Sequence, residues 1–225
     1  MFALHIAVSL QKQAQAGGRR IPTLYVSADT DAVTMLMRTY AMTSGHDLAT
    51  IEQARDAGLG EDYERYVEGM ADFQFLFESD PSLADLDVDL RAFREIYGEL
   101  PALLIVDNLM NVQAESDSEW AGMRAIMQAL HHVARVTGAA VVVLHHTSED
   151  SQYPVEKPPP RRAIQGKVAQ LAELILTLTV NGNMLGVAVV KNRNGRSDPT
   201  ADHPIWLRVD FARMAIIDQF YGETQ

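Results

Sequence analysis

Short runs of apolar and β-branched residues alternate with longer amphipathic segments, and this alternation limits the possible folds more than any other feature. The apolar runs predict strands at residues 21–27, 73–77, 102–107, 138–146 and 172–180. The segments between them predict helices at residues 30–41, 50–70, 82–97 and 118–136. Continuously apolar strands suit a sheet that is covered on both faces. The pattern therefore predicts an α/β fold with a mostly parallel sheet flanked by helices.

The two ends of the chain have patterns of their own. The first ten residues, MFALHIAVSL, have helical spacing but no capping residue in front of them. After residue 172, the turn Asn-Gly-Asn at 181–183 predicts a hairpin, and the runs PIWLRVD and ARMAIID predict a second antiparallel pair. The prolines of residues 153–162 predict a long exposed loop. We expect one domain over residues 1–225, a parallel core that ends in antiparallel hairpins.

Composition excludes several classes of protein. The chain has no cysteine, which rules out disulfides and thiolate zinc sites. It contains neither an apolar stretch of membrane-spanning length nor a signal peptide, so we expect an intracellular, cytoplasmic protein without a membrane partner. The net charge of −11 argues against a protein that coats itself in nucleic acid.

Charge is nevertheless distributed unevenly. Residues 29–99 hold 17 acidic and 5 basic side chains, whereas residues 157–196 hold 7 basic and one acidic. Basic groups next to an aromatic ring suit single-stranded DNA, whose phosphates and bases they contact. The candidate DNA-binding residues are Tyr153, Lys157, Arg161, Arg162 and Lys167. The alternative is a proline-rich loop whose charge is incidental.

Carboxylates and imidazoles follow three of the predicted strands. Ligands of α/β proteins bind at the carboxyl ends of parallel strands, and carboxylate oxygens with an imidazole suit Mg²⁺ or Mn²⁺. The candidate metal ligands are Asp29, Asp31, Asp107 and one of the pair His145 and His146. Adjacent residues of a strand point to opposite faces, so we expect one histidine to face the site. The alternatives are helix caps for the aspartates and a core position for the histidines.

Four segments, in this order, resemble the RecA/DnaB family of ring-forming ATPases, in particular the phage and plasmid branch of RepA-type helicases. They are LYVSAD, LLIVDN, VVVLHHT and VVKNRNG. The resemblance implies a catalytic carboxylate at Asp29, a Walker B metal ligand at Asp107 and a polar sensor strand that ends in His145 and His146. It also implies that Lys191 and Arg193 reach the nucleotide of a neighbouring subunit. The alternative is that both side chains lie at a solvated hairpin tip and contact no nucleotide.

The same resemblance implies further partners and one missing element. It implies single-stranded or forked DNA, a homo-oligomer such as a hexameric ring, replication proteins, and a prokaryotic or phage-infected cell. The family's phosphate-binding loop, Gly-x-x-x-x-Gly-Lys-Ser/Thr, does not occur in the 225 residues, since Gly166-Lys167 is followed by Val168. We therefore expect a core without the N-terminal P-loop strand, and ATP as a cofactor only if that loop is supplied upstream.

Three functions remain open from the sequence. The first is a DNA-processing protein of replication, recombination or repair in which Asp29, Asp107, His146, Lys191 and Arg193 catalyse metal-dependent phosphoester hydrolysis. The second is a metal-dependent, structure-specific DNA nuclease that acts without ATP. The third is a non-catalytic ring subunit or loader associated with a helicase, with residues 52–99 as its partner surface. The first two make the chain a metal-dependent hydrolase.

Overall fold

The computed structural model describes residues 1–116, 118–147, 153 and 156–217. These residues form two compact units: unit 1 consists of residues 1–145 with 212–215, and unit 2 of residues 146–211 with 216–217. The single domain over residues 1–225 stays a prediction. None of the described helices is long and apolar enough to cross a membrane.

Unit 1 is an α/β unit, as the alternating pattern predicts. Its helices are α1 (Phe2–Ala16), α2 (Ala32–Ser44), α3 (Leu48–Asp56), α4 (Leu83–Tyr97) and α5 (Glu119–Thr137). Its strands are β1 (Thr23–Ser27), β2 (Phe73–Leu76), β3 (Leu103–Asp107) and β4 (Ala140–Val143). The strands are parallel and lie in the order β2-β1-β3-β4. The predicted parallel sheet is confirmed.

Helices cover both faces of this sheet. On one face, the apolar side of α1 packs through Leu4 and Val8 against Tyr25 and Ile105. On the other, α4 and α5 enclose a cavity of about 210 Å³ with apolar residues of β1 and β3. Residues of β1 are buried along its whole length because the strand is central and covered twice.

Unit 2 contains the predicted hairpins. Its strands are β5 (Leu174–Asn181), β6 (Met184–Asn192), β7 (Ile205–Asp210) and most of β8 (Ala215–Ile217), in that order across one sheet. Strand β6 pairs antiparallel with β5 and with β7. A small core forms where Ala188 and Val190 of β6 pack with Ala201. The antiparallel end of the fold is confirmed.

Two local predictions are wrong. The helix expected at residues 50–70 ends at Asp56, because Gly58 adopts a left-handed φ of 76° and a 3₁₀ turn follows at Gly60–Tyr66. The proline-rich segment is not exposed throughout, since Pro158 and Pro160 are buried.

Candidate functional site

Asp107 ends β3 at the carboxyl edge of the parallel sheet. It pairs in register with Ser27, the last residue of β1, and its carbonyl oxygen accepts a hydrogen bond from Ala28 N–H at 2.7 Å. The side chain of Asp107 is half-buried, whereas Asp29, two residues beyond β1, is exposed. The parallel register therefore places the ends of these two strands side by side, as the sequence predicts.

A buried tyrosine, which the sequence analysis missed, holds the Asp107 carboxylate. The Tyr25 hydroxyl donates a hydrogen bond of 2.6 Å to Asp107 Oδ2. Burial raises the pKa of Tyr25, and the negative charge of Asp107 raises it further, so this hydroxyl stays a proton donor. The only signal in the sequence was that Tyr25 lies two residues before Ser27 and therefore on the same face of β1.

Asp31 acts as a helix cap. Its Oδ1 accepts the backbone N–H of Thr34 at 3.0 Å, and its Oδ2 accepts the Thr34 hydroxyl at 2.7 Å. The hydrogen bond from the Thr34 hydroxyl lowers the pKa of Asp31 most, and the bond from the Thr34 backbone N–H lowers it further. Both carboxylate oxygens thus serve the N-terminus of α2, which favours the cap interpretation of this residue.

The two histidines lie beyond the strand that was expected to contain them. Strand β4 ends at Val143, and Leu144 adds one more backbone hydrogen bond, to Val106. Both ring nitrogens of His145 are shielded from solvent, whereas His146 is exposed. His145 and His146 therefore do not follow the alternation between faces that is expected of neighbouring residues in a strand.

Within the described ranges, no three carboxylate or imidazole side chains come together as a group that could hold a metal ion. The predicted ligands Asp29, Asp31, Asp107 and His145 are thus not assembled as one cluster. Mg²⁺ commonly uses only one or two carboxylates and completes its shell with water and substrate phosphate oxygens. Asp107, with Asp29 on the adjacent loop, fits this smaller donor set.

Lys191 and Arg193 bind the loop before β5. The ammonium of Lys191 donates to the carbonyl oxygens of Ala169, Gln170 and Ala172 at 2.8, 3.0 and 2.5 Å. The guanidinium of Arg193 donates to Glu173 Oε1 at 2.8 Å and to the same Gln170 carbonyl at 2.9 Å. Burial is the main cause that lowers the pKa of Lys191, and the positive charges of Arg193 and Arg161 lower it further. These contacts give both residues a structural role within their own chain.

We expect Lys191→Met to destabilise unit 2 by about 1–2 kcal/mol, because three hydrogen bonds from a charged donor are lost. The measurement is urea unfolding followed by the fluorescence of Trp206, which lies in β7, in a Trp120→Phe background that removes the other of the two tryptophans. Arg196→Met, which removes the same charge from an exposed side chain nearby, is the matched control and should change the free energy of unfolding by less than about 0.5 kcal/mol. If Lys191→Met and Arg196→Met lowered the free energy of unfolding equally, the structural role of Lys191 would be contradicted.

The candidate DNA-binding residues are partly engaged within unit 2. Lys157 Nζ lies 2.5 Å from Asp202 Oδ1. The guanidinium carbon of Arg162 lies 5.9 Å from the centroid of the Tyr153 ring, within cation–π range. Arg161 donates its backbone N–H to the carbonyl of Pro199 and is half-buried. The side chain of Lys167 lies outside the described part of the structure.

Relatives of this chain occur in mycobacteriophages. The gene 65 protein of Mycobacterium phage L5 is 36% identical over 216 residues, which cover 91% of this chain and 75% of that protein. The gene 65 protein of Mycobacterium phage D29 is 33% identical over 218 residues, which cover 91% of this chain and 87% of that protein.

Solved structures with this fold include an ATPase domain and a replicative helicase. The ATPase domain superposes with a TM-score of 0.75 at 15% identity, covering 96% of this chain and 80% of that one. The helicase is DnaB-like, its structure was described with its interactions with primase, and it also gives a TM-score of 0.75 at 15% identity. That match covers 95% of this chain and 55% of the helicase. These similarities confirm the RecA/DnaB-like α/β fold that the sequence predicts.

One family profile matches more than half of the chain. It is described as an AAA domain, and it matches residues 1–152, which include all four parallel strands of unit 1. Together with the two phage relatives above 30% identity, this match shows that the chain belongs to the AAA domain family.

Proposed function

We propose that this chain is a DNA-processing protein that hydrolyses a phosphoester bond with a divalent cation at the carboxyl edge of β1 and β3. The observation that carries the proposal is the position of Asp107, which ends a central parallel strand and is held by the Tyr25 hydroxyl. This edge is where α/β sheets bind their ligands. The helicase-like fold supports a role in replication, recombination or repair.

Asp107 and Asp29 are the residues that would hold Mg²⁺ or Mn²⁺. Such an ion, when bound, neutralises phosphate charge and makes a bound water more acidic. Tyr25 orients the Asp107 carboxylate, and the exposed His146 is the proposed group for proton transfer. Lys191 and Arg193 would act on a neighbouring subunit only after leaving their contacts with the loop at 169–173.

DNA is the proposed partner of unit 2. Arg162 lies over the Tyr153 ring and follows Arg161 in a segment with an excess of positive charge, which suits a phosphate backbone and an unstacked base. Lys157 contributes less because Asp202 neutralises it. Binding of single-stranded or forked DNA should weaken as the salt concentration rises, because phosphate contacts release counterions.

A second copy of the chain and other replication proteins are further proposed partners.

The decisive experiment incubates the purified chain with end-labelled forked DNA and Mg²⁺ or Mn²⁺, with and without ATP, and measures both DNA cleavage and release of inorganic phosphate. Turnover of ATP identifies a helicase-type ATPase, and cleavage without ATP identifies a nuclease. Both products should disappear with EDTA. DNA binding without either product would overturn the hydrolase and favour the non-catalytic ring subunit or loader.

A further inference from the structure

We propose that Tyr25 is a positioning residue that sets the divalent-cation affinity of Asp107. Asp107 Oδ2 accepts the Tyr25 hydroxyl, which holds the carboxylate in one orientation and leaves Oδ1 as the oxygen that would bind a cation. The inference rests on the proposed function, because it concerns the same carboxylate. It goes beyond that function in assigning the affinity for the cation to a residue that does not itself touch it.

The Tyr25 ring cannot readily move away from Asp107. Its side chain is 1% exposed and packs in the apolar cluster beneath α1. Its ring centroid lies 6.5 Å from that of Phe73 and 5.5 Å from that of Phe75, both on β2. Side chains packed at such density keep one rotamer, so the hydroxyl is a fixed donor.

Packing alone does not explain a hydroxyl at this position. Phe73 and Phe75, which flank the Tyr25 ring on the neighbouring strand, fill the same aromatic layer without one. A buried hydroxyl costs free energy unless it forms a hydrogen bond. Its bond to Asp107 offsets that cost, and hydrogen-bonded partners of metal-binding carboxylates commonly change metal affinity by about 10- to 100-fold.

Tyr25→Phe tests the inference because it removes the hydroxyl and keeps the ring. The matched control is Tyr63→Phe, which removes a buried tyrosine hydroxyl that lies 3.0 Å from His46 Nδ1 in a different core cluster. Binding of Mn²⁺ alone is measured by electron paramagnetic resonance for the wild type, both tyrosine variants and Asp107→Ala. We expect Tyr25→Phe to weaken Mn²⁺ binding by about 10-fold and Tyr63→Phe to leave it unchanged.

Mn²⁺ binding by these four proteins distinguishes a wrong metal site from a wrong role of Tyr25. If the wild type binds Mn²⁺ no better than Asp107→Ala, the proposed metal site is wrong and the inference falls with it. If Asp107→Ala loses binding but Tyr25→Phe keeps the wild-type affinity, only the inference is overturned. If both tyrosine variants weaken binding equally, Tyr25 contributes only to the stability of the fold, and the inference is again overturned.

Discussion

Asp107→Ala is expected to reduce metal-dependent phosphoester hydrolysis by at least about 100-fold. A bound divalent cation stabilises transition-state charge by several kcal/mol, and each 1.36 kcal/mol corresponds to about a factor of ten in rate. Asp107 is the half-buried carboxylate at the end of the central strand β3, so its removal takes away the main proposed cation ligand. The measurement is the initial rate of phosphate release or DNA cleavage at saturating Mn²⁺.

Asp72→Ala is the matched control for this variant. Asp72 directly precedes β2, at the opposite, amino end of the sheet, and forms a salt bridge of 2.6 Å with Arg20. Asp72→Ala changes the net charge by the same amount as Asp107→Ala and also removes the ion-pair partner of Arg20. It leaves the carboxyl edge of the sheet intact. We expect an unchanged rate. A similar loss of rate in both variants, or a wild-type rate for Asp107→Ala, would contradict the proposed role of Asp107.

The strands of the parallel sheet could be predicted because their composition is a local property. Runs of apolar β-branched residues are typical of strands buried on both faces, and this pattern located β1 to β4. Their ends were less accurate for a physical reason that β1 illustrates. Pro22 has no backbone N–H to donate, so the strand begins at Thr23 and not at residue 21.

The helix expected at residues 50–70 shows where a local pattern misleads. Its apolar residues have helical spacing, but two glycines at 58 and 60 interrupt it, and Gly58 adopts a left-handed conformation there. Ile51 and Tyr63 are nevertheless buried in the same core cluster. The spacing thus identified residues that reach the core, but it could not show that the backbone turns between them.

The candidate site depends on contacts between residues distant in sequence, which no local pattern contains. Asp107 was found because a carboxylate at a strand end is visible in the sequence. Tyr25 was missed because a tyrosine inside an apolar run looks like a core residue until the register of β1 against β3 is known. Lys191 was named as a site residue from its motif, but its three acceptors in the loop before β5 could not be predicted from the sequence.

Ile105→Ala is expected to destabilise unit 1 by about 3–4 kcal/mol. Ile105 lies in the middle of β3, is fully buried and packs in the cluster between the sheet and α1. Truncation of a buried isoleucine loses the transfer free energy of its methyl and methylene groups and leaves a cavity, which together cost about 2–5 kcal/mol. We place the loss above the lower end of this range because the neighbouring strands β1 and β4 limit collapse of the cavity.

The effect of Ile105→Ala can be measured on unit 1 alone, because all α-helices of the described chain belong to it. Urea unfolding followed by circular dichroism at 222 nm therefore reports on this unit. Ile96→Ala, on the face of α4 where the side chain is 73% exposed, is the matched control and should cost less than about 0.5 kcal/mol. Similar midpoints for the two variants would mean that β3 does not form the centre of the core, and Asp107 would then lose the rigid strand that positions it.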